Sequence, residues 1–324
     1  METLLRNHFG ERKFTFDDIL LVPDYAGKDT REEDTATRTI LFNWNIGVPV
    51  ITSPMETITE IKMMKEAWYN GALGVHHRYC DFSVLKEAAN YYGGIAVSPS
   101  MKIENIVELH KINPDNCFVL DISQGDTEKA ITFCKNLLSE GIKNIVSGNI
   151  VTKSAAERYL NIGVKHIRAG VGGGSRCLTR VVTGFGYPQA SCIYELHREF
   201  LDDVIIISDG GCKNTGDIIK AFALGAKFVM SGYLFAGTDE CPDPTRYSGM
   251  ASPEALAPRK KDFFVEGDTI SVSPKGPVSK VIDGIEDAIK HACYYGGVDR
   301  YTELVNVEKI LITENSYLEG KSRQ

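Results

Sequence analysis

The sequence predicts a closed (β/α)8 barrel, one α/β domain spanning residues 1–324, on three observations. Eight short apolar runs recur along the chain, helical stretches ending on glycine separate them, and the runs are apolar throughout instead of alternating with polar residues. Continuous hydrophobicity marks strands buried on both faces, as in a parallel sheet covered by helices. Eight such units in one chain point to closure into a barrel over an open doubly wound sheet.

Taken in order, the first 45 residues precede the barrel and are expected to supply a short β-hairpin capping one end. The strand runs are VPVIT (48–52), ALGVH (72–76), GIAVS (94–98), CFVLD (117–121), NIVSG (144–148), HIRAG (166–170), VIIIS (204–208) and KFVMS (227–231). Between them TEIKMMKEAWYNG, DTEKAITFCKNLLSEG, TKSAAERYLNIG and NTGDIIKAFALG each close on a glycine suited to a left-handed helix cap. The interval 171–203 exceeds a minimal loop plus helix and predicts an inserted catalytic loop. A second excursion, 238–276, is polar, charged and Pro-containing, the composition of a mobile flap.

Composition excludes several function classes. A net charge of −7 without blocks of like charge argues against nucleic acid as a partner and leaves room only for a local phosphate pocket. No apolar run approaches the roughly 20 residues that span a bilayer, and METLLRNHFGERK lacks a signal-peptide core, so a cytoplasmic protein away from membranes is expected. The eight cysteines contain no C-x-x-C pair, which predicts reduced thiols without a zinc site or disulfide framework.

Barrel chemistry gathers where strands end, and those ends carry Ser53, His76, Asp121, Gly148 with Asn149, Gly170, Asp209 and Gly232. In Gly170-Val171-Gly172-Gly173-Gly174-Ser175-Arg176-Cys177-Leu178-Thr179 the glycines let backbone N–H groups approach an anion, Ser175 can donate to the same phosphate, and Cys177 follows two residues later. A flexible glycine turn with an incidental cysteine fits the same residues. Ser208-Asp209-Gly210-Gly211 offers a carboxylate for a ribose diol and glycines for a phosphate, and Ser231-Gly232 closes the eighth strand where barrel phosphate sites sit. Together these loops describe a nucleotide monophosphate pocket. For Asp209 the plainer role is helix capping near Asn214. The His76-His77 pair invites a metal, but no third ligand at fitting spacing supports one.

GVGGGSRCLTRVVTGFGYPQ resembles the signature loop of the inosine monophosphate dehydrogenase and guanosine monophosphate reductase family. The resemblance extends over nearly the whole chain, through FTFDDILLVP, TSPMETITE, VHHRYC, LDISQG, GNIVT, ISDGGC and FVMSGYLFAGT. It implies that the Cys177 thiolate attacks purine carbon 2 and that Thr179 and Glu266 form an acid–base pair. It further implies that Ser175, Gly210, Gly211, Gly232 and Tyr247 hold the phosphate with Asp209 on the ribose. Met250 and Ser252 would line the purine, and Tyr233 and Gly267 complete the substrate set. Asp121, Asn149 and His77 would face the nicotinamide, and carbonyls near Gly172, Gly174 and Cys177 would bind potassium. A homotetramer is the family's assembly.

Two branches share that chemistry. The reductase releases ammonia from GMP and takes a hydride from NADPH to give IMP; the dehydrogenase passes a hydride from IMP to NAD and hydrolyses the adduct to XMP. Dehydrogenases carry an Arg-Tyr pair in a long flap, whereas here only SPEALAPRKKDFFV lies between Ala251 and Glu266, and Arg246-Tyr247 stands earlier, at the phosphate position. Direct passage from the second run to the third leaves no room for the dehydrogenases' regulatory module. GMAS, SDGGC, GYPQ and EGDTISVSPKG are also reductase-like. TSPMETITE and LDISQG read more like dehydrogenases. His77 replaces a lysine that touches the cofactor in reductases, Phe263 replaces an arginine near the substrate, and Gly173 replaces the usual proline or serine. The reductase is therefore the expectation, with a dehydrogenase lacking its module and a non-catalytic purine nucleotide-binding barrel as the alternatives.

Overall fold

The computed structural model describes residues 12–29, 31, 36–257 and 265–321. All eight apolar runs become strands: β1 (Val50–Thr52), β2 (Leu73–His76), β3 (Gly94–Val97), β4 (Cys117–Leu120), β5 (Ile145–Ile150), β6 (His166–Ala169), β7 (Ile205–Asp209) and β8 (Phe228–Ser231). Each pairs in parallel with the next in chain order, and β8 returns to β1 with Val229 opposite Val50, closing the barrel. The fold is thus a (β/α)8 barrel. Burial explains the apolar runs: β1, β2, β3, β4 and β8 are buried at every position, since one face meets the barrel interior and the other meets helices.

The outer ring comprises α1 (Ile61–Tyr69), α2 (Phe82–Ala88), α3 (Ile103–Ile112), α4 (Glu128–Ser139), α5 (Lys153–Leu160), α6 (Gln189–Phe200), α7 (Thr215–Ala223) and α8 (Val278–Gly296). Side chains of Thr127, Thr152 and Asn214 cap α4, α5 and α7 by accepting from backbone N–H groups three residues on. The four glycines expected to end helices, Gly71, Gly141, Gly163 and Gly225, all have φ between 78° and 106°, which side-chain-bearing residues rarely adopt.

The expected hairpin pairs Thr39–Leu41 with Trp44–Ile46. Its Leu41, Trp44 and Ile46 join one apolar cluster with Leu73, Cys117 and Phe228, residues that begin their strands, so the hairpin fills the barrel's N-terminal end. The sequence reading did not include a second pairing, Ile19–Leu21 antiparallel to Lys309–Leu311.

Between β6 and β7 the inserted loop carries a short helix, Thr179–Thr183, before α6. After β8, Arg246–Ser248 pairs antiparallel with Thr269–Ser271, and Ser252 caps the short helix Pro253–Leu256. Phe263 and the rest of 258–264 lie outside the described residues. No helix among the described residues is long and apolar enough to cross a membrane.

Candidate functional site

A cavity of about 750 Å³ opens at the C-terminal end of the barrel. Its lining draws on the C-terminal ends of all eight strands and the loops that follow them, through Ser53, Arg78, Ser98, Asp121, Asn149, Gly170, Asp209 and Gly232. That size suits a small-molecule ligand and its partner in one chamber, within the ~300–1,000 Å³ usual for such pockets.

At the heart of the lining lies a chain of three side chains. The Cys177 thiol donates to Thr179 Oγ1 at 3.1 Å, and the Thr179 hydroxyl donates to Glu266 Oε2 at 2.6 Å. Main-chain contacts hold the two segments together: Leu178 N–H donates to Glu266 O at 2.7 Å, and Cys177 and Gly267 form an antiparallel bridge. Thr179 is the first residue of its helix, after Leu178 at the cap position, and its hydroxyl is spent on Glu266. Such an array can move a proton from sulfur to carboxylate through one hydroxyl.

Beside this chain the glycine loop and the β7 loop press together. Gly210 has φ 96°, and a Cβ there would stand 3.0 Å from Gly174 N and 3.1 Å from Gly173 C. Only glycine lets the two backbones approach so closely. Gln189 supports the pair from below: it is 4% exposed, and its amide donates to Ala169 O at 2.7 Å and Ser208 Oγ at 3.1 Å. Ser175 Oγ is buried in this cradle beside the Tyr247 phenol. Tyr247 is buried across the cradle with Tyr233 6.0 Å away ring to ring, and burial pushes the Tyr247 phenol up to about 12, so it stays a hydrogen-bond donor at neutral pH.

Opposite the glycine loop, Arg168 of β6 is 5% exposed and reaches two carboxylates. Its Nη2 donates to Asp209 Oδ2 at 2.8 Å, its Nη1 lies 3.6 Å from Asp121 Oδ1, and Nη1 also donates to Leu120 O at 2.9 Å. Burial opposes the guanidinium charge, but Asp209 and Asp121 outweigh it and raise the pKa. Asn149 Nδ2 donates to the same Asp209 oxygen at 2.7 Å and to Gly170 O at 3.0 Å. Asp209 Oδ1 has no such partner among the described residues. Arg78 Nε donates to Asp121 Oδ2 at 3.2 Å, while its guanidinium lies 4.3 Å from the Tyr79 ring centre.

The structure therefore gathers Cys177, Thr179, Glu266, Ser175, Asp209, Gly210, Gly211, Gly232, Tyr233, Tyr247, Met250, Asp121, Asn149, Gly172 and Gly174 around one cavity. Three expected residues stand back from it. His77 is 3% exposed and turns its Nε2 toward Glu60 at 3.4 Å, leaving Arg78 and Tyr79 on the lining. Ser252 is fully buried and caps its helix through Ala255 N, and Gly267 lies behind Cys177 in the bridge. Asp209 is not the cap of α7, a task Asn214 performs. Arg168, Arg78 and Gln189 were missed by sequence reading. Arg168 had a signal, a charge inside the apolar run HIRAG, where burial demands a partner.

Fold and site together define a (β/α)8 barrel whose catalytic-end mouth sets a thiol–hydroxyl–carboxylate chain beside a glycine cradle. The chain belongs to the IMP dehydrogenase / GMP reductase family, whose domain model matches residues 13–323. Its relatives include a GMP reductase of Buchnera aphidicola, 32% identical over 90% of this chain and 91% of the relative. GMP reductase 1 of Mus musculus is 31% identical over 90% and 92%, and the GMP reductase of Phytophthora infestans is 32% identical over 91% and 89%.

Proposed function

We propose that this protein is a GMP reductase, an oxidoreductase that converts GMP to IMP and ammonia with NADPH through a covalent purine adduct on Cys177. The observation that carries the reading is the Cys177–Thr179–Glu266 chain opening onto the glycine-lined cavity. Its relatives' names support the reductase branch over the dehydrogenase and over a non-catalytic barrel.

In this mechanism Thr179 passes its proton to Glu266 as it takes the proton of Cys177, and the thiolate so formed bonds to purine carbon 2. The proton stored on the Thr179–Glu266 pair goes to the exocyclic amine, whose bond to carbon 2 breaks as ammonia leaves, so the purine stays attached to sulfur. A reduced nicotinamide supplies, when bound, the hydride that carbon 2 needs. The carbon–sulfur bond then breaks, its electron pair returns to Cys177, and one proton from water resets the chain. Ser175, Gly210, Gly211, Gly232, Tyr233 and Tyr247 hold the phosphate, Asp209 Oδ1 takes the ribose, and Met250 lies against the base.

The cavity's far half fits an anionic cofactor. Arg78 and Lys129 line it as cations, and Asp121 and Asn149 supply polar groups for the carboxamide. A potassium ion would use the carbonyls of Gly172, Gly174 and Cys177, hard oxygen donors of the right type. Gly174 O accepts Cys177 N–H at 3.0 Å and keeps one lone pair for it. The protein works in the cytoplasm as a homotetramer.

The deciding measurement follows nicotinamide absorbance with purified protein, offering GMP plus NADPH in one cuvette and IMP plus NAD in another. A fall in the first that Cys177→Ala abolishes supports the reductase. A rise in the second assigns the dehydrogenase, and silence in both, with nucleotide binding retained, assigns the binding barrel.

A further inference from the structure

At the end of β2, outside the cavity lining, His76, His77 and Cys80 each offer a ligand atom, and these atoms lie within 4.8 Å of one another. It is the one such cluster among the described residues. The absence of a third ligand told against a metal in the sequence; the turn after His77 supplies it by bringing Cys80 back beneath the histidines.

The proton inventory of the two rings matches metal ligation. His76 Nδ1 donates to His77 O at 2.7 Å, which leaves its Nε2 as the lone-pair nitrogen. His76 is 0% exposed, and that Nε2 is buried without a hydrogen-bond partner among the described residues. An unpartnered buried imidazole nitrogen is unfavourable unless something occupies it. His77 Nδ1 accepts Tyr79 N–H at 3.1 Å, so its lone pair is there, and Nε2–H points at Glu60 Oε1, 3.4 Å away. A carboxylate behind a histidine and a carbonyl behind its neighbour are the outer contacts that fix ligand tautomers at metal centres. These tautomers are assigned from the hydrogen-bond partners.

We propose that His76 Nε2, His77 Nδ1 and Cys80 Sγ form a site for a zinc-type divalent cation. Two imidazole nitrogens and one thiolate are a borderline-soft set that favours Zn²⁺ over Mg²⁺ or Ca²⁺. Binding displaces Tyr79 N–H from His77 Nδ1 and releases the Cys80 proton to solvent, with water in the fourth position. Tetrahedral ligation sets ligand atoms ~3.5 Å apart, so the three side chains close up around the ion by χ rotation. The ion would fix the short segment carrying Arg78 and Tyr79, both of which line the cavity. Nothing here depends on the reductase reading.

Cobalt(II) titration tests it, using Cys177→Ala protein so that the cavity thiol contributes no signal. One equivalent should produce intense visible ligand-field bands and a near-ultraviolet sulfur-to-cobalt charge-transfer band, both erased by zinc. Cys80→Ser, at a half-buried position, should remove the charge-transfer band and weaken cobalt binding at least ~10-fold, with an unchanged circular dichroism spectrum verifying the fold. His76→Gln should weaken it comparably. Absence of a charge-transfer band, or a band that survives Cys80→Ser, overturns the proposal.

Discussion

The hydroxyl of Thr179 bonds to the Glu266 carboxylate at 2.6 Å, although 87 residues separate the two in sequence. In the proposed mechanism this bond both creates the thiolate and protonates the leaving amine. Glu266→Gln preserves size and can still hydrogen bond, but it cannot accept the proton. It should lower kcat by ~10²–10⁴ with little change in KM for GMP. Steady-state rates across pH test it, and a wild-type kcat would reduce Glu266 to a structural tether.

Removing the buried cation has a different signature. Arg168→Met leaves Asp121 and Asp209 facing each other without their shared counter-charge, which should destabilise the fold by ~3–5 kcal/mol, seen in urea denaturation. Arg168→Lys should recover little of this, because a single ammonium cannot reproduce contacts made by Nε, Nη1 and Nη2.

His166 carries a pH prediction. Burial, with Lys165 adding to it, pushes its pKa down to about 4 from the ordinary 6.5, and its ring lies 4.0 Å from that of Phe42. Between those values the unfolded chain binds a proton that the folded chain refuses, so stability should fall as pH drops from about 6.5 toward 4. The loss should reach ~3 kcal/mol, and His166→Gln should flatten that part of the profile. Denaturation midpoints at pH 7, 5.5 and 4.5, compared between the two proteins, isolate this residue from other histidines.

Gly210→Ala places a methyl against Gly173 and Gly174 and forces a non-glycine residue to φ 96°. The cradle should widen, raising KM for GMP at least ~10-fold while stability falls by only ~1–2 kcal/mol. Isothermal titration with GMP against the wild type checks it; unchanged affinity would remove the phosphate from this loop.

The barrel was legible because every strand is enclosed, so its apolar run reads without reference to neighbours. The cavity residues were legible where glycine, serine and cysteine fall at strand ends. The Ile19–Leu21 pairing with Lys309–Leu311 was not, since three residues per strand carry too little pattern and the partners lie at opposite ends of the chain. His77 and Ser252 deviated because side-chain direction within a turn or cap depends on tertiary contacts, here Glu60 and Ala255. The third metal ligand escaped notice for a similar reason, since it depends on how the turn at Arg78 and Tyr79 folds back.

The segment bearing Glu266 is anchored at its root. Glu266 N–H donates to Ala251 O at 3.1 Å, Leu178 holds Glu266 O, and Gly249 N–H donates to Asp268 O at 2.9 Å. Both ends of the excursion between Ala251 and Glu266 are thus clamped to each other and to the nucleophile's loop, like the two terminals of a socket. Beyond the capped helix Pro253–Leu256, length between those terminals becomes a variable open to evolution or to a designer. Chimeras that exchange only the intervening stretch should leave the thiol, hydroxyl and carboxylate in their places.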